Sequence, residues 1–216
     1  MTRQRFRLIA GFLFILTSLI LTPVASAKTE IPEHRYVGVR KCAGCHKKIT
    51  LGNQRAVWQR GPHSAAMKTL ESPVSIAIAK KLEIAGPPSE APQCLSCHVT
   101  AFGVPAEGFA YEIDNADGVQ CESCHGPGRD YRKKSIMSDP ELAAEKGLWD
   151  SDDPAICTRC HNSESPTFDP KRFRRPDGTT SAFDFDLARE QILHPIPEHV
   201  KGHYLEIEER LKEEGK

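Results

Sequence analysis

Gly118-Val119-Gln120-Cys121-Glu122-Ser123-Cys124-His125-Gly126-Pro127-Gly128-Arg129 contains the pattern on which the chain turns, a Cys-x-x-Cys-His at 121–125. The same pattern recurs at Cys42, Cys45 and His46, at Cys94, Cys97 and His98, and at Cys157, Cys160 and His161, and the four copies use all 8 cysteines. Two thiols at this spacing form thioethers with the vinyl groups of a haem, and the histidine directly after them binds the iron from the proximal side. Four covalently attached haem c groups are therefore expected. Zinc sites and redox-active disulfides also use paired Cys-x-x-Cys units. Zinc would need no histidine after every pair, and a redox disulfide would need only one pair, so the repetition favours haem.

The N-terminus supplies the compartment in which thioethers are made. Arg3, Arg5 and Arg7 precede an apolar run at 8–21, and Ala25-Ser26-Ala27 closes it with the small residues that signal peptidase accepts. That run is shorter than the roughly 20 residues needed to cross a bilayer. The expectation is a cleaved signal peptide at 1–27 and a tetrahaem domain at 28–216, in the periplasm and without a permanent membrane span. Losing three arginines from 29 basic residues leaves 26 against 29 acidic ones, a balance that does not suit nucleic acid. The charges are clustered. Arg129, Arg132, Lys133 and Lys134 follow the third motif, and Arg172, Arg174 and Arg175 follow the fourth. Both sets suit a solvated surface, haem propionates or the steering of a redox partner.

About 47 residues per haem leave little polypeptide around each macrocycle, so one domain with much of its core made of porphyrin is expected. With 16 prolines and 15 glycines and no sustained period-two pattern, the wrapping should be mainly α with extensive irregular loops and no regular sheet. Helices are expected over 41–58, ended by Gly61-Pro62; from Pro73, with Val74, Ile78 and Leu82 on one face, to before Gly86-Pro87; and over 141–146 after Asp139-Pro140. Val200, Tyr204, Ile207 and Leu211 form a further amphipathic stripe.

Five histidines lie outside the motifs: His34, His63, His194, His199 and His203. They are the candidates for the far side of the irons. Two strong axial ligands keep an iron low-spin and suited to electron transfer, whereas an open position admits small ligands.

Several stretches together resemble the tetrahaem cytochrome c-554 family. They are Val37-Gly38-Val39-Arg40-Lys41, Trp58, Gly61-Pro62-His63-Ser64-Ala65-Ala66-Met67, Cys97-His98-Val99-Thr100-Ala101-Phe102-Gly103, the run 118–129 and Phe183-Asp184-Phe185-Asp186, so the likeness extends over 36–204. The resemblance implies a mostly helical single-domain carrier with haems stacked in close pairs. It implies three haems with two histidine ligands and a five-coordinate second haem, held by His98. His63 matches the distal histidine that follows the first motif, and His194 best matches the C-terminal one, with His199 and His203 as runners-up. The family has a further distal histidine after the third motif, where this chain has Ser135. By resemblance that leaves the first haem with His34, His199, His203 or the thioether of Met137 as substitute, or with no sixth ligand.

The implied function is the relay of electrons between redox proteins. The implied partners are a hydroxylamine-oxidising multihaem enzyme upstream and a membrane or soluble cytochrome downstream. The alternative is an enzyme acting on nitric oxide or another nitrogen oxide at an open high-spin haem, for which Arg129, Tyr131 and Glu122 are candidate proton donors. A haem-based sensor would carry an output domain, and no such segment is legible.

Overall fold

The computed structural model describes residues 31–195. The leader at 1–27, His199, His203 and the stripe from Val200 to Leu211 lie outside the described residues. Among the described residues ten short α-helices follow one another: α1 Val39–His46, α2 Gln54–Arg60, α3 Ala66–Thr69, α4 Pro73–Lys81, α5 Pro92–His98, α6 Glu122–His125, α7 Lys134–Met137, α8 Pro140–Glu145, α9 Pro154–Thr158 and α10 Phe185–Ile192. Short 3-10 turns and irregular loops join them. Helices of this length are marginal alone, so packing and capping must hold them.

Several caps are legible. Ser72 accepts from Ser75 N–H at 3.2 Å ahead of α4, and Asp139 accepts from Leu142 N–H at 3.1 Å ahead of α8. Each of these helices has proline in its first turn.

The expected single helix over 41–58 is instead two helices around a 3-10 turn at Ile49–Leu51. Gly52 at φ +91° and Asn53 at φ +46° are both left-handed, and a right-handed helix cannot pass through them. The Val74, Ile78 and Leu82 face of α4 is not buried against protein either. Val74 is 67% and Leu82 50% exposed, and the residue this helix buries is Ala79. The sole sheet among the described residues pairs β1 Phe173–Arg174 antiparallel to β2 Thr180–Ser181, a hairpin too small to have a sequence period.

The core centres on the entry to α1. Tyr36 bridges to Phe109 through Tyr36 N–H to Gly108 O at 2.9 Å and Ala110 N–H to Tyr36 O at 2.8 Å. Val37, Val39, Ala43, Val99 and Tyr131 are buried with it. Glu122, the residue after the first cysteine of the third motif, is 0% exposed. Its carboxylate accepts from Val37 N–H at 2.9 Å, Gly38 N–H at 2.7 Å and Gly128 N–H at 2.6 Å. Beside it, Gln120 Oε1 accepts from Val39 N–H at 2.7 Å. Two side chains around the third motif thus satisfy the free donors at the start of the first motif's helix.

Candidate functional site

Each motif lies on one helical turn or across the end of one, in α1, in α5, across the start of α6 and from α9 onward. His125 N–H bonds to Cys121 O at 3.0 Å and His161 N–H to Cys157 O at 2.9 Å, so the chain keeps helical geometry through each of these motifs. On a helix, positions i, i+3 and i+4 share a face, which presents two thiols and one imidazole to a single planar ligand. All eight thiols are free of disulfides. Among the described residues, no three His, Cys, Asp or Glu side chains converge on one ion.

Neighbouring thiols give the order of the motifs in space. A hydrogen bond that Cys42 donates to Cys121, and then burial, push the Cys42 thiol upward, so motifs one and three are adjacent. Burial, with Cys157 next, holds Cys124 at about 11, which joins motif three to motif four. Burial and Cys97 hold Cys160 at about 12, which joins motif four to motif two. Thr100, two residues after the second motif, also meets Ser123 of the third at 2.8 Å, so the four motifs form one cluster rather than a line.

Two pairs of imidazoles face each other. The rings of His63 and His161 have centroids 6.2 Å apart, and those of His125 and His194 are 5.8 Å apart. An iron between two imidazoles, with about 2 Å per Fe–N bond and about 1.1 Å from each nitrogen to its ring centre, places the centroids about 6.2 Å apart. Both pairs are close to that separation. His194 Nδ1 is buried with no hydrogen-bond partner.

Burial lowers the pKa of His63, with the His161 cation adding to it. Burial also lowers His161 and His194, and takes His125 down to about 4. All four are therefore held neutral at pH 7, the form that binds a metal.

The other two motif histidines are oriented from behind. His98 Nδ1 lies 2.6 Å from Ala66 O, with Thr69 Oγ1 at 3.4 Å. A carbonyl only accepts, so this nitrogen carries the proton and Nε2 is left with its lone pair. His46 Nδ1 lies 3.1 Å from Gln54 Oε1. The Gln54 amide is turned that way because its Nε2 donates to Leu51 O and, at 3.1 Å, to Pro195 O. The break at Gly52 and Asn53 is what brings Gln54 back to His46. Among the described residues, no second histidine ring pairs with His46 or His98 as in the two facing pairs.

His34 Nδ1 is 2.9 Å from Asp130 Oδ2, and its ring lies against Gly147. Met137 ends α7, half-buried. Of the candidate proton donors, Glu122 has both oxygens engaged by backbone N–H groups, and Tyr131 donates to Gly126 O at 2.9 Å in the core. Both are structural. Sequence reading missed Gln54 and the Ala66 carbonyl as partners of motif histidines; neither carries a local signal, because the fold alone brings them near. It also missed Phe183, which stacks on His161 at 5.4 Å and 18°, although it opens the Phe-Asp-Phe-Asp run already singled out.

His63 is positioned by the run before the third motif. Val119 N–H bonds to His63 O at 3.0 Å. Gly118, at φ +65° and ψ −138°, would bring a Cβ to 2.7 Å from that same oxygen. Backbone at these angles is essentially restricted to glycine. Gly118→Ala is expected to cost about 2 kcal/mol and to lower the melting midpoint by roughly 4–8 °C. The same variant should also loosen His63, seen as added high-spin signal. An unchanged melt would show that the loop relaxes freely.

A family model described as cytochrome c554 and c-prime matches residues 41–126, and one for a doubled CXXCH motif matches 114–166. Cytochrome c-554 of Nitrosomonas europaea is 32% identical over 168 residues, covering 71% of this chain and 66% of that protein. The solved reduced state of cytochrome c554 from the same organism aligns with a TM-score of 0.45 at 24% identity, covering 74% of this chain and 79% of that one.

Proposed function

The chain belongs to the tetrahaem cytochrome c-554 family, and from that premise we propose that it is a periplasmic electron carrier holding four haem c groups in one domain at 28–216. The observation that carries this reading is the pair of facing imidazole sets, His63 with His161 and His125 with His194, at separations that suit an iron between them. Each haem, when bound, supplies an iron that takes up or releases one electron.

The chain's own residues do the rest. Cys42, Cys45, Cys94, Cys97, Cys121, Cys124, Cys157 and Cys160 anchor the groups covalently, and His46, His98, His125 and His161 bind from the proximal side. Burial keeps His63, His125, His161 and His194 neutral, and Gln54 and the Ala66 carbonyl fix His46 and His98 in orientation. The adjacency of motif one to three, three to four and four to two supports stacking in close pairs and short steps between neighbours.

A redox enzyme upstream and a cytochrome downstream are the partners this role calls for. No helix among the described residues is long and apolar enough to cross a membrane. Export follows from the leader at 1–27, which N-terminal sequencing of the mature protein checks.

His98 favours a second reading, an open haem that binds nitric oxide, because it has an oriented proximal nitrogen and, among the described residues, no facing histidine. Electron paramagnetic resonance of the oxidised protein, with and without nitric oxide, tests both. One or two high-spin haems that bind nitric oxide are expected. A wholly low-spin, unresponsive spectrum would remove the open site, and a mass corresponding to fewer than four haems would remove the tetrahaem reading. Met137→Leu should leave the spectrum unchanged if Met137 only packs, and should add high-spin signal if its thioether is a ligand.

A further inference from the structure

Resting on the electron-carrier reading, the geometry points to a docking site for an acidic redox protein at Lys41, Tyr111 and Arg132, beside the first motif. Two cations share one exposed aromatic ring. Lys41 Nζ lies 3.9 Å from the Tyr111 centroid and the Arg132 guanidinium carbon 5.8 Å from it, with Arg132 Nη2 donating to Tyr111 Oη at 3.4 Å. Arg132 Nε is buried without a partner. Among the described residues, neither Lys41 nor Arg132 has a carboxylate within ion-pair distance, and the same holds for the exposed Lys133 and Lys134 that follow.

The nearby carboxylates are largely engaged elsewhere. Asp114 pairs with Arg40 at 3.2 Å, Asp130 pairs with His34 at 2.9 Å, Asp139 caps α8, and Glu112, next to Tyr111, is exposed. The chain as a whole is formally neutral, so an excess of cations on this face is a local feature. Tyr and Arg with a lysine rim is the composition of an interface hot spot, and an anionic surface is its complement. Lys41 directly precedes Cys42, which holds the thioether edge of the first haem. A haem held there would bring its own propionates as competing anions, and a measured reduction potential separates them from a partner's carboxylate. A carboxylate of the partner is the occupant that fits.

The probe is a reduced flavodoxin, a small acidic flavoprotein. Its anionic hydroquinone gives up one electron to become the neutral semiquinone while one ferric centre becomes ferrous, and no proton is exchanged. The second-order rate into the wild-type protein should fall steeply as salt rises. Lys133→Gln with Lys134→Gln, whose side chains are exposed, and separately Lys41→Gln with Arg132→Gln, should each lower the low-salt rate by roughly tenfold and flatten its salt dependence. Lys80→Gln with Lys81→Gln, exposed in the last turn of α4, should leave it unchanged. An equal loss in that control, or no loss in either test pair, overturns the docking site. So does a shifted reduction potential with unchanged rates, which would assign the cluster to a haem propionate. Failure of the wild-type protein to accept electrons even from dithionite would instead sink the carrier reading.

Discussion

His63→Ala is expected to convert one haem of the oxidised protein from low-spin to high-spin, a loss of one haem equivalent of low-spin intensity. The chain of causes is short. His63 opens a 3-10 turn just after Gly61-Pro62, its carbonyl is tied to Val119, and its ring stands 6.2 Å from that of His161. If the pair holds an iron, alanine would leave His161 as its sole axial ligand, and a five-coordinate ferric haem is high-spin. Added imidazole should restore the low-spin signal, because the variant leaves the space that His63 occupied. His63→Met should stay low-spin if the thioether reaches, with a higher potential. His194→Ala should produce the same conversion at a different haem, so the double variant should lose two equivalents. An unchanged low-spin integral in His63→Ala would remove His63 from the ligand set and leave its ring separation from His161 without a role.

What could be read beforehand, and what could not, follows from where each constraint resides. Haem attachment is covalent and local, so Cys-x-x-Cys-His announces itself in five residues. Prolines at Pro73 and Pro140 mark α4 and α8 because their restricted φ suits a first turn and a capping side chain precedes each. As candidate distal ligands, His63 and His194 were reachable through family resemblance, since no spacing rule relates such a ligand to a motif it would meet only in three dimensions.

The helix expected over 41–58 failed at Gly52 and Asn53. Asparagine tolerates the left-handed region but does not demand it, so the break was not visible until Gln54 was seen to serve His46. The apolar face of α4 was read correctly as a helical face, yet its exposure shows that periodicity reports helix more securely than it reports what covers the helix. Which motifs lie side by side was not legible at all, because it depends on contacts between residues far apart in the chain. Glu122 was misjudged for a related reason. A carboxylate inside a haem motif suggests proton chemistry, and only the fold shows three backbone donors converging on it.

Glu122→Gln therefore separates two opposed forces, and the expected result is a less stable protein. Burial by itself pushes the Glu122 carboxyl upward, while the N–H groups of Gly128, Gly38 and Val37 pull it down. If the cost of burying a charge dominated, a neutral amide of the same shape would stabilise the fold. The geometry argues otherwise. Oε1 accepts from Val37 and Gly128, and Oε2 accepts from Gly38. Glutamine must turn its NH2 toward one of these sides, setting donor against donor and leaving at least one buried N–H unsatisfied at about 1–3 kcal/mol, besides the lost charge-assisted bonds. A total near 3 kcal/mol is expected, lowering the melting midpoint by roughly 6–12 °C. Because the donors at Val37 and Gly38 begin the helix of the first motif while Glu122 belongs to the third, the damage should be concentrated between those two motifs. Hydrogen exchange should quicken at Val37, Gly38 and Val39 while Leu187, the capped N–H of α10, keeps its protection. A melting midpoint that rises, with exchange unchanged at Gly38, would mean that the buried charge was a burden and that the three hydrogen bonds do not hold motif one against motif three.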